Sequence, residues 1–217
     1  MGLLEKDAKK LLDLGINVLT GGNHTMDKLQ AHKYINQAER VLRPQNYPRG
    51  AYGFGFGVYT VPETEHKIGV LNLQGRVYMK ALDCPFRSFD WAYEKIKEKT
   101  NIVIVDFHAE ATSEKIAFGW FADGRATAVL GTHTHVQTSD NRLLPGGTAY
   151  MTDVGMTGPY DSVIGMKKEQ SIKRFVYATP QKHEVGEGDL RFAAVHCEID
   201  PETGKAVSIN RILYPEF

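Results

Sequence analysis

The 217-residue sequence predicts an α/β protein with a layered sheet, for two reasons. Helical and strand patterns alternate along most of the chain and strands are added late, an order typical of layered α/β folds. Residues 102–105 form an unbroken β-branched run, as expected of a parallel strand buried on both faces. Because no repeat or flexible linker interrupts the pattern, we expect a single domain over residues 1–217.

The chain opens with an amphipathic pattern that predicts a helix over residues 3–14, with Gly15 as its C-terminal stop. Residues 16–20 then predict a short buried strand. Apolar periodicity bounded by turn residues predicts the remaining elements. We expect helices at 27–39, 86–99, 113–121 and near 167–177, and strands at 54–61, 66–73, 102–105, 127–130, 149–152, 191–199 and 205–213.

Composition excludes several classes of protein. Lys+Arg and Asp+Glu both number 26, so no basic field favours nucleic acid. No stretch approaches the ~18 apolar residues of a membrane span, and early charges exclude a secretory signal. Cys84 and Cys197 share no metal-binding spacing, so a reduced cytoplasmic protein fits best, although one disulfide stays open.

The most informative segment is Gly131-Thr132-His133-Thr134-His135, which directly follows the predicted strand at 127–130. Side chains two residues apart on a strand point to the same side. Two imidazoles aimed at one point favour a transition-metal site. The alternative is a solvated loop with two chance histidines.

Three polar clusters each follow a predicted buried strand, and strand ends of an α/β sheet can converge in one crevice. The clusters are Asn23-His24, then Asp106, His108 and Glu110, then His133 and His135. A mixture of imidazole, amide oxygen and carboxylate suits Fe, Mn or Zn rather than calcium or a thiolate site. A neutral amide ligand is most useful in a two-metal cluster, which can clamp a phosphoryl group.

Three of these segments resemble motifs of the calcineurin-like metallophosphoesterases: 22–24 (GNH), 106–108 (DFH) and 131–135 (GTHTH). The match is closer to one branch, the YmdB-like bacterial phosphodiesterases, and covers essentially the whole chain. The longer signatures of that branch are found at 22–25 (GNHT), 72–76 (NLQGR), 106–114 (DFHAEATSE), 131–138 (GTHTHVQT) and 152–159 (TDVGMTGP).

The resemblance implies a layered calcineurin-like fold, with mixed sheets flanked by helices, and a site for two divalent metal ions such as Fe or Mn. Asn23, His108 and His133 would ligate the second metal, and His135 the first. His24 would be the catalytic proton donor. By physical role, acidic neighbours could orient imidazoles and arginines could meet a substrate phosphate, although structural roles stay open for each. These candidates are Asp27, Asp106, Glu110, Arg76 and Arg142.

The family pattern begins with GDxxG and GENAA motifs that this sequence does not contain. We therefore expect a chain that lacks the first strands of the fold and most ligands of the first metal. Such a chain is predicted to bind at most one metal, to hydrolyse substrate poorly and to be sparingly soluble, because strand edges and apolar surface are exposed.

The function implied is that of a metal-dependent phosphodiesterase, which hydrolyses cyclic nucleotides of the 2′,3′ type by metal-hydroxide attack on phosphorus. His24 would protonate the leaving ribose oxygen. Two alternatives stay open: a mononuclear metallohydrolase that uses Asn23, His108 and His133, and a non-catalytic chain that binds a nucleotide or a partner. The expected ligand is a small phosphodiester or cyclic nucleotide, not a membrane or a nucleic-acid duplex, and homo-oligomer formation stays open.

Overall fold

The computed structural model describes residues 2–217. Its elements, in chain order, are α1 Glu5–Asp13, β1 Leu19–Thr20, α2 Leu29–Ile35, β2 Val41–Leu42, β3 Phe56–Thr60, β4 Lys67–Gln74, α3 Pro85–Lys97, β5 Val103–His108, α4 Thr112–Ala122, β6 Ala128–Thr132, β7 Arg142–Leu143, β8 Ala149–Met151, β9 Gly158–Pro159, α5 Lys168–Tyr177, β10 Leu190–Ile199 and β11 Ala206–Tyr214.

A six-stranded mixed sheet organises the molecule, with the strand order β3-β4-β5-β6-β8-β7. The four inner strands are parallel, and the two outer strands, β3 and β7, run antiparallel to their neighbours. This arrangement confirms the predicted α/β class with a mixed sheet and flanking helices. The carboxyl ends of β4, β5 and β6 meet at one edge, where a site is expected.

Each face of the sheet has its own covering layer. On one face, Leu71 and Phe107 pack against helix residues Phe89 and Phe118, and all four are fully buried. On the other face, Met151 packs with Ile209 of the β10–β11 hairpin. Burial of this apolar surface is the main stabilising contribution to the layered fold.

The predicted buried strand over residues 16–20 is wrong in extent and in burial. Only Leu19–Thr20 is extended as a strand, and Ile16 is 40% exposed. The reason is pairing: among the described strands, β1 forms its ladder with β2 alone, through a two-residue parallel register. The predicted helix at 27–39 ends at Ile35, because the chain must turn there to enter β2, a strand that the sequence pattern did not reveal.

Two further findings bear on the class of protein. None of the helices in residues 2–217 has both the length and the apolar content to cross a bilayer. Both cysteines, Cys84 and Cys197, are free thiols.

Candidate active site

The register of the central strands brings the sequence clusters to one edge of the sheet. Gln74 on β4 lies beside His108 on β5, and His108 lies beside Thr132 on β6. The loop that carries Asn23 is tied to the same edge, because the Asn72 side-chain amide donates to the Gly21 carbonyl over 2.7 Å. Residues distant in sequence therefore meet at the ends of adjacent parallel strands.

Hydrogen bonds fix the orientation and the tautomer of His108. The Thr132 hydroxyl donates to Asp106 Oδ1 over 2.8 Å, so its oxygen is left to accept from His108 Nδ1–H over 3.0 Å. Burial is the main cause that lowers the pKa of His108 to about 3, so the ring is neutral near pH 7. A neutral ring protonated at Nδ1 presents a lone pair at Nε2.

That lone pair faces a second acceptor. His108 Nε2 lies 3.0 Å from the Asn23 amide oxygen, and no proton is left to lie between the two atoms. A cation between them would satisfy both lone pairs. Two ligand atoms that each lie about 2.1 Å from one ion are separated from each other by about 3 Å or slightly more. The donor set, one amide oxygen and neutral imidazole nitrogen, therefore fits a divalent transition metal.

His133 supplies the neighbouring imidazole. Its ring centroid lies 4.7 Å from that of His108, and its Nε2 lies 3.0 Å from Glu110 Oε2. Burial is the first cause that lowers the pKa of His133, which favours the neutral, ligating form. The structure thus brings Asn23, His108 and His133 together, with the Glu110 carboxylate beside them.

Backbone geometry at this edge is unusual. His133 and His135 have φ angles of 102° and 68°, in the left-handed region that non-glycine residues rarely adopt and that clusters at functional sites. Gly22 has no room for a side chain, since a Cβ there would lie 2.3 Å from the His108 ring. The glycine is thus required for the close approach of the Asn23 loop to His108.

His135 makes contacts different from those of the other three residues. Its side chain is exposed, its Nδ1 donates to the Ile164 carbonyl over 2.8 Å, and it lines a cavity of about 740 Å³. Within residues 2–217, no group of three or more His, Cys, Asp or Glu side chains is arranged to hold a metal ion. The candidate site therefore depends on the Asn23 amide as well as on imidazoles.

His24 is oriented by an acidic neighbour. Its Nδ1 lies 2.7 Å from Asp27 Oδ2, and about half of its side chain is exposed. With Nδ1 donating to the carboxylate, Nε2 is free to face a ligand. Of the other candidates, Arg76 has its guanidinium 3.5 Å from Cys84 Sγ, and Arg142 lies over the Tyr150 ring at 5.7 Å.

Sequence reasoning missed several residues that organise this edge. Thr132 links Asp106 to His108, and Lys115 forms a buried ion pair with Asp153 over 2.7 Å. Thr132 stands inside the GTHTH segment and Asp153 inside TDVGMTGP, so their motifs drew attention to both segments. The residues that Thr132 and Asp153 bind in these contacts lie 24 or more positions away along the chain, and no local sequence pattern indicates these pairings.

Comparisons with known proteins agree with this architecture. The chain is 48% identical over 212 residues to a 2′,3′-cyclic-nucleotide 2′-phosphodiesterase of Bacillus subtilis, a match that covers 98% of this chain and 80% of the relative. A crystal structure of a hypothetical protein from Thermus thermophilus superposes with a TM-score of 0.91 and 41% identity, over 98% of this chain and 82% of the other. The crystal structure of a phosphatase from Mycoplasma pneumoniae superposes with a TM-score of 0.88 and 37% identity, over 98% of this chain and 76% of the other.

The fold and these relatives define a phosphoesterase, an enzyme of the hydrolase class. Such relatives imply the use of divalent metal ions. The chain belongs to the family described as YmdB-like protein, which matches residues 1–212.

Proposed function

We propose that this protein is a metal-dependent phosphodiesterase that hydrolyses 2′,3′-cyclic nucleotides. The single observation that carries the proposal is the neutral His108, whose Nε2 faces the Asn23 amide oxygen over 3.0 Å with His133 beside it. A cluster of this kind at the carboxyl ends of parallel strands is where α/β enzymes bind substrate. The Bacillus subtilis relative supports the choice of a cyclic nucleotide.

Asn23, His108 and His133 would hold the second divalent ion of the family site, with Fe or Mn as the expected metals, and His135 would hold the first. Divalent ions supply positive charge that stabilises the phosphoryl transition state and lower the pKa of water. The protein residues fix where that charge lies: Asp106, through Thr132, holds His108 in its ligating tautomer.

His24 is proposed as the general acid that protonates the leaving ribose oxygen. Asp27 Oδ2 lies 2.7 Å from its Nδ1, which orients the ring. The free Nε2 can then deliver a proton to an oxygen bound near Asn23. General acid catalysis of this kind contributes about 10²–10⁴-fold to the rate.

The cavity beside His135 has the size of a nucleotide site. Its volume of about 740 Å³ lies within the range of about 300–1,000 Å³ that small-molecule sites have. Tyr160 and Phe217 line it with aromatic rings 5.9 Å apart, on which a nucleobase can stack. We propose that the nucleoside part of the substrate lies in this cavity.

A second candidate is a mononuclear metallohydrolase. It is favoured by the finding that residues 2–217 contain no cluster of three or more His, Cys, Asp or Glu side chains arranged around a metal. Asn23, His108 and His133 would then form the whole centre. The number of ions bound per chain separates the two candidates.

The wider setting of the enzyme rests on the sequence. Composition and pattern predict a single domain over residues 1–217, a cytoplasmic location, and neither a membrane nor a nucleic-acid duplex as partner. They leave homo-oligomer formation open. A small phosphoester substrate is in keeping with the relatives.

The test is hydrolysis of 2′,3′-cyclic AMP by the chain in a large excess of Mn²⁺, with the nucleoside monophosphate product measured by chromatography. We expect turnover that EDTA abolishes and that His24→Ala lowers. Binding of the nucleotide without any metal-dependent turnover would refute the proposed phosphodiesterase activity and favour a non-catalytic chain that binds nucleotide.

A further inference from the structure

The loop that carries His133 and His135 is hydrogen-bonded to Asp153, a charged residue whose role the proposed function does not explain. Asp153 is fully buried and pairs with the equally buried Lys115 over 2.7 Å. Burying two charges costs several kcal/mol per ion and is repaid only when every polar atom finds a partner. An ion pair directly beneath a strained loop therefore invites a functional explanation.

The remaining bonds of Asp153 point to the loop. Its Oδ2 accepts from the Thr134 backbone N–H over 3.0 Å and from the Thr134 hydroxyl over 2.7 Å. Its Oδ1 accepts from the Gly155 N–H over 2.9 Å. One carboxylate thus holds the residue between the two histidines at both its backbone and its side chain.

The neighbouring backbone locks the same loop from a second side. The Val154 N–H donates to the Gly131 carbonyl over 2.9 Å, and the Thr138 N–H donates to the Asp153 carbonyl over 3.0 Å. Gly131 lies so close to the Thr152 backbone that a Cβ would overlap it. The loop between these anchor points has little freedom, which is what its left-handed residues at 133 and 135 require.

We propose that Asp153, charge-balanced by Lys115, is a positioning residue for the metal centre: by holding Thr134 it sets the directions of His133 and His135. The inference rests on the proposed function, since it assumes that these histidines meet a metal. Partners that orient ligands in this way typically change metal affinity about 10–100-fold when they are lost.

The test uses Thr134, because Asp153→Ala would leave the Lys115 ammonium buried without a partner and is expected to unfold the chain. Thr134→Val keeps the shape and the ion pair and removes only the hydroxyl donor. Thr134→Ser restores that donor. Thr203→Val is the matched control, since Thr203 makes the same hydroxyl-to-carboxylate bond, to Asp200 over 2.8 Å, in the β10–β11 turn.

Co²⁺ binding is measured by its visible absorption and by chelator competition, with thermal unfolding of the metal-free chains alongside. We expect Thr134→Val to weaken Co²⁺ binding about tenfold or more, Thr134→Ser and Thr203→Val to bind like the parent, and both valine variants to unfold at similar temperatures. Parental affinity in Thr134→Val, or an equal loss in Thr134→Ser, would overturn the proposal.

Backbone amide exchange of residues 132–137 in the metal-free chains gives a second readout that does not need an ion. Exchange should be faster in Thr134→Val than in Thr203→Val, and equal exchange would overturn the proposal even if the parent binds no Co²⁺. Turnover of 2′,3′-cyclic AMP is assayed separately. A chain with Thr134-dependent Co²⁺ binding and no turnover would refute the proposed function and leave this inference intact.

Discussion

In the proposed function, the adjacent residues Asn23 and His24 divide two tasks between them, metal binding and proton donation. Asn23 faces His108, whereas His24 turns to Asp27. We expect His24→Ala to keep its bound metal and to lose about 10²–10⁴-fold of its turnover on 2′,3′-cyclic AMP, because the ribose oxygen is a poor leaving group. Metal content by elemental analysis and turnover by chromatography, measured on the same sample, check this.

A nitrophenyl phosphodiester needs less protonation of its leaving group, so His24→Ala should impair its hydrolysis much less. His66→Ala is the matched control, as His66 is exposed at the turn before β4. Metal loss in His24→Ala would show instead that this ring is a ligand.

Gln74 offers a test of stability at a single residue. Its side chain is fully buried on the strand beside His108, and neither polar atom has a hydrogen-bond partner within residues 2–217. A desolvated amide without partners is costly. We therefore expect Gln74→Met, which keeps the shape, to raise the free energy of unfolding of the metal-free chain by about 1 kcal/mol.

Denaturant unfolding measures this change. The control is Gln30→Met on the exposed side of α2, which should stay within about 0.5 kcal/mol of the parent. A clear destabilisation in Gln74→Met would mean that a water or ligand satisfies the amide.

At the residue scale, the sequence could predict that His108 and His133 lie close together, because they follow neighbouring parallel strands that end at one edge. Asn23 follows β1, which lies outside that sheet, and its loop reaches the edge through the Asn72 bond to the Gly21 carbonyl, which has no sequence signal. The resemblance assigned His135 to the other metal of the family site, and in the structure that ring lines the neighbouring cavity. Strand alternation predicted that His133 and His135 point to the same side, but the left-handed backbone at both residues departs from the strand geometry on which that prediction depended.

At the scale of elements, the turn from β1 into the Asn23 loop depends on Gly22. A Cβ at this position would meet the His108 ring at 2.3 Å, so either the ring or the loop must move. We expect Gly22→Ala to weaken metal binding about 10-fold or more, because a small displacement of one ligand breaks the coordination geometry. Isothermal titration with Mn²⁺ measures the affinity.

Gly57→Ala in β3 is the control for that substitution. A Cβ there meets the Tyr59 hydroxyl, the end of a side chain that can move aside. Unchanged Mn²⁺ affinity in Gly22→Ala would contradict the close approach of loop and ring.

The longer elements were predictable and the shortest were not. Helices α3 and α4 and strands β4, β5, β10 and β11 lie within a few residues of their expected positions, because each has a continuous apolar period. The strands β2, β7 and β9 have two residues each and too few side chains to show any period. They exist because a neighbouring strand offers hydrogen bonds, a property of the assembled sheet rather than of the local sequence.

At the scale of the whole molecule, the site joins parts of the chain that are far apart in sequence, since Asn23 and His108 are separated by 85 residues. An ion held by both stabilises only the folded chain. At 100 times its dissociation constant, such an ion raises the free energy of unfolding by about 2.7 kcal/mol. For a chain of this size we expect the melting temperature to rise by about 5–10 °C when Mn²⁺ is added.

The same ion should be lost when one donor is removed, so His108→Ala should show no rise in melting temperature with Mn²⁺, while His66→Ala should rise like the parent. Because the described residues hold no group of three or more His, Cys, Asp or Glu side chains arranged for a metal, we further expect at most one tightly bound ion per chain by elemental analysis, held at Asn23 and His108. The ion proposed at His135 should bind only in the large excess of Mn²⁺ used for the assay. Two tightly bound ions would mean that His135 and carboxylates outside the Asn23 cluster form a second centre. In that case the mononuclear candidate would be excluded, and this chain would itself hold both ions of a dinuclear phosphodiesterase.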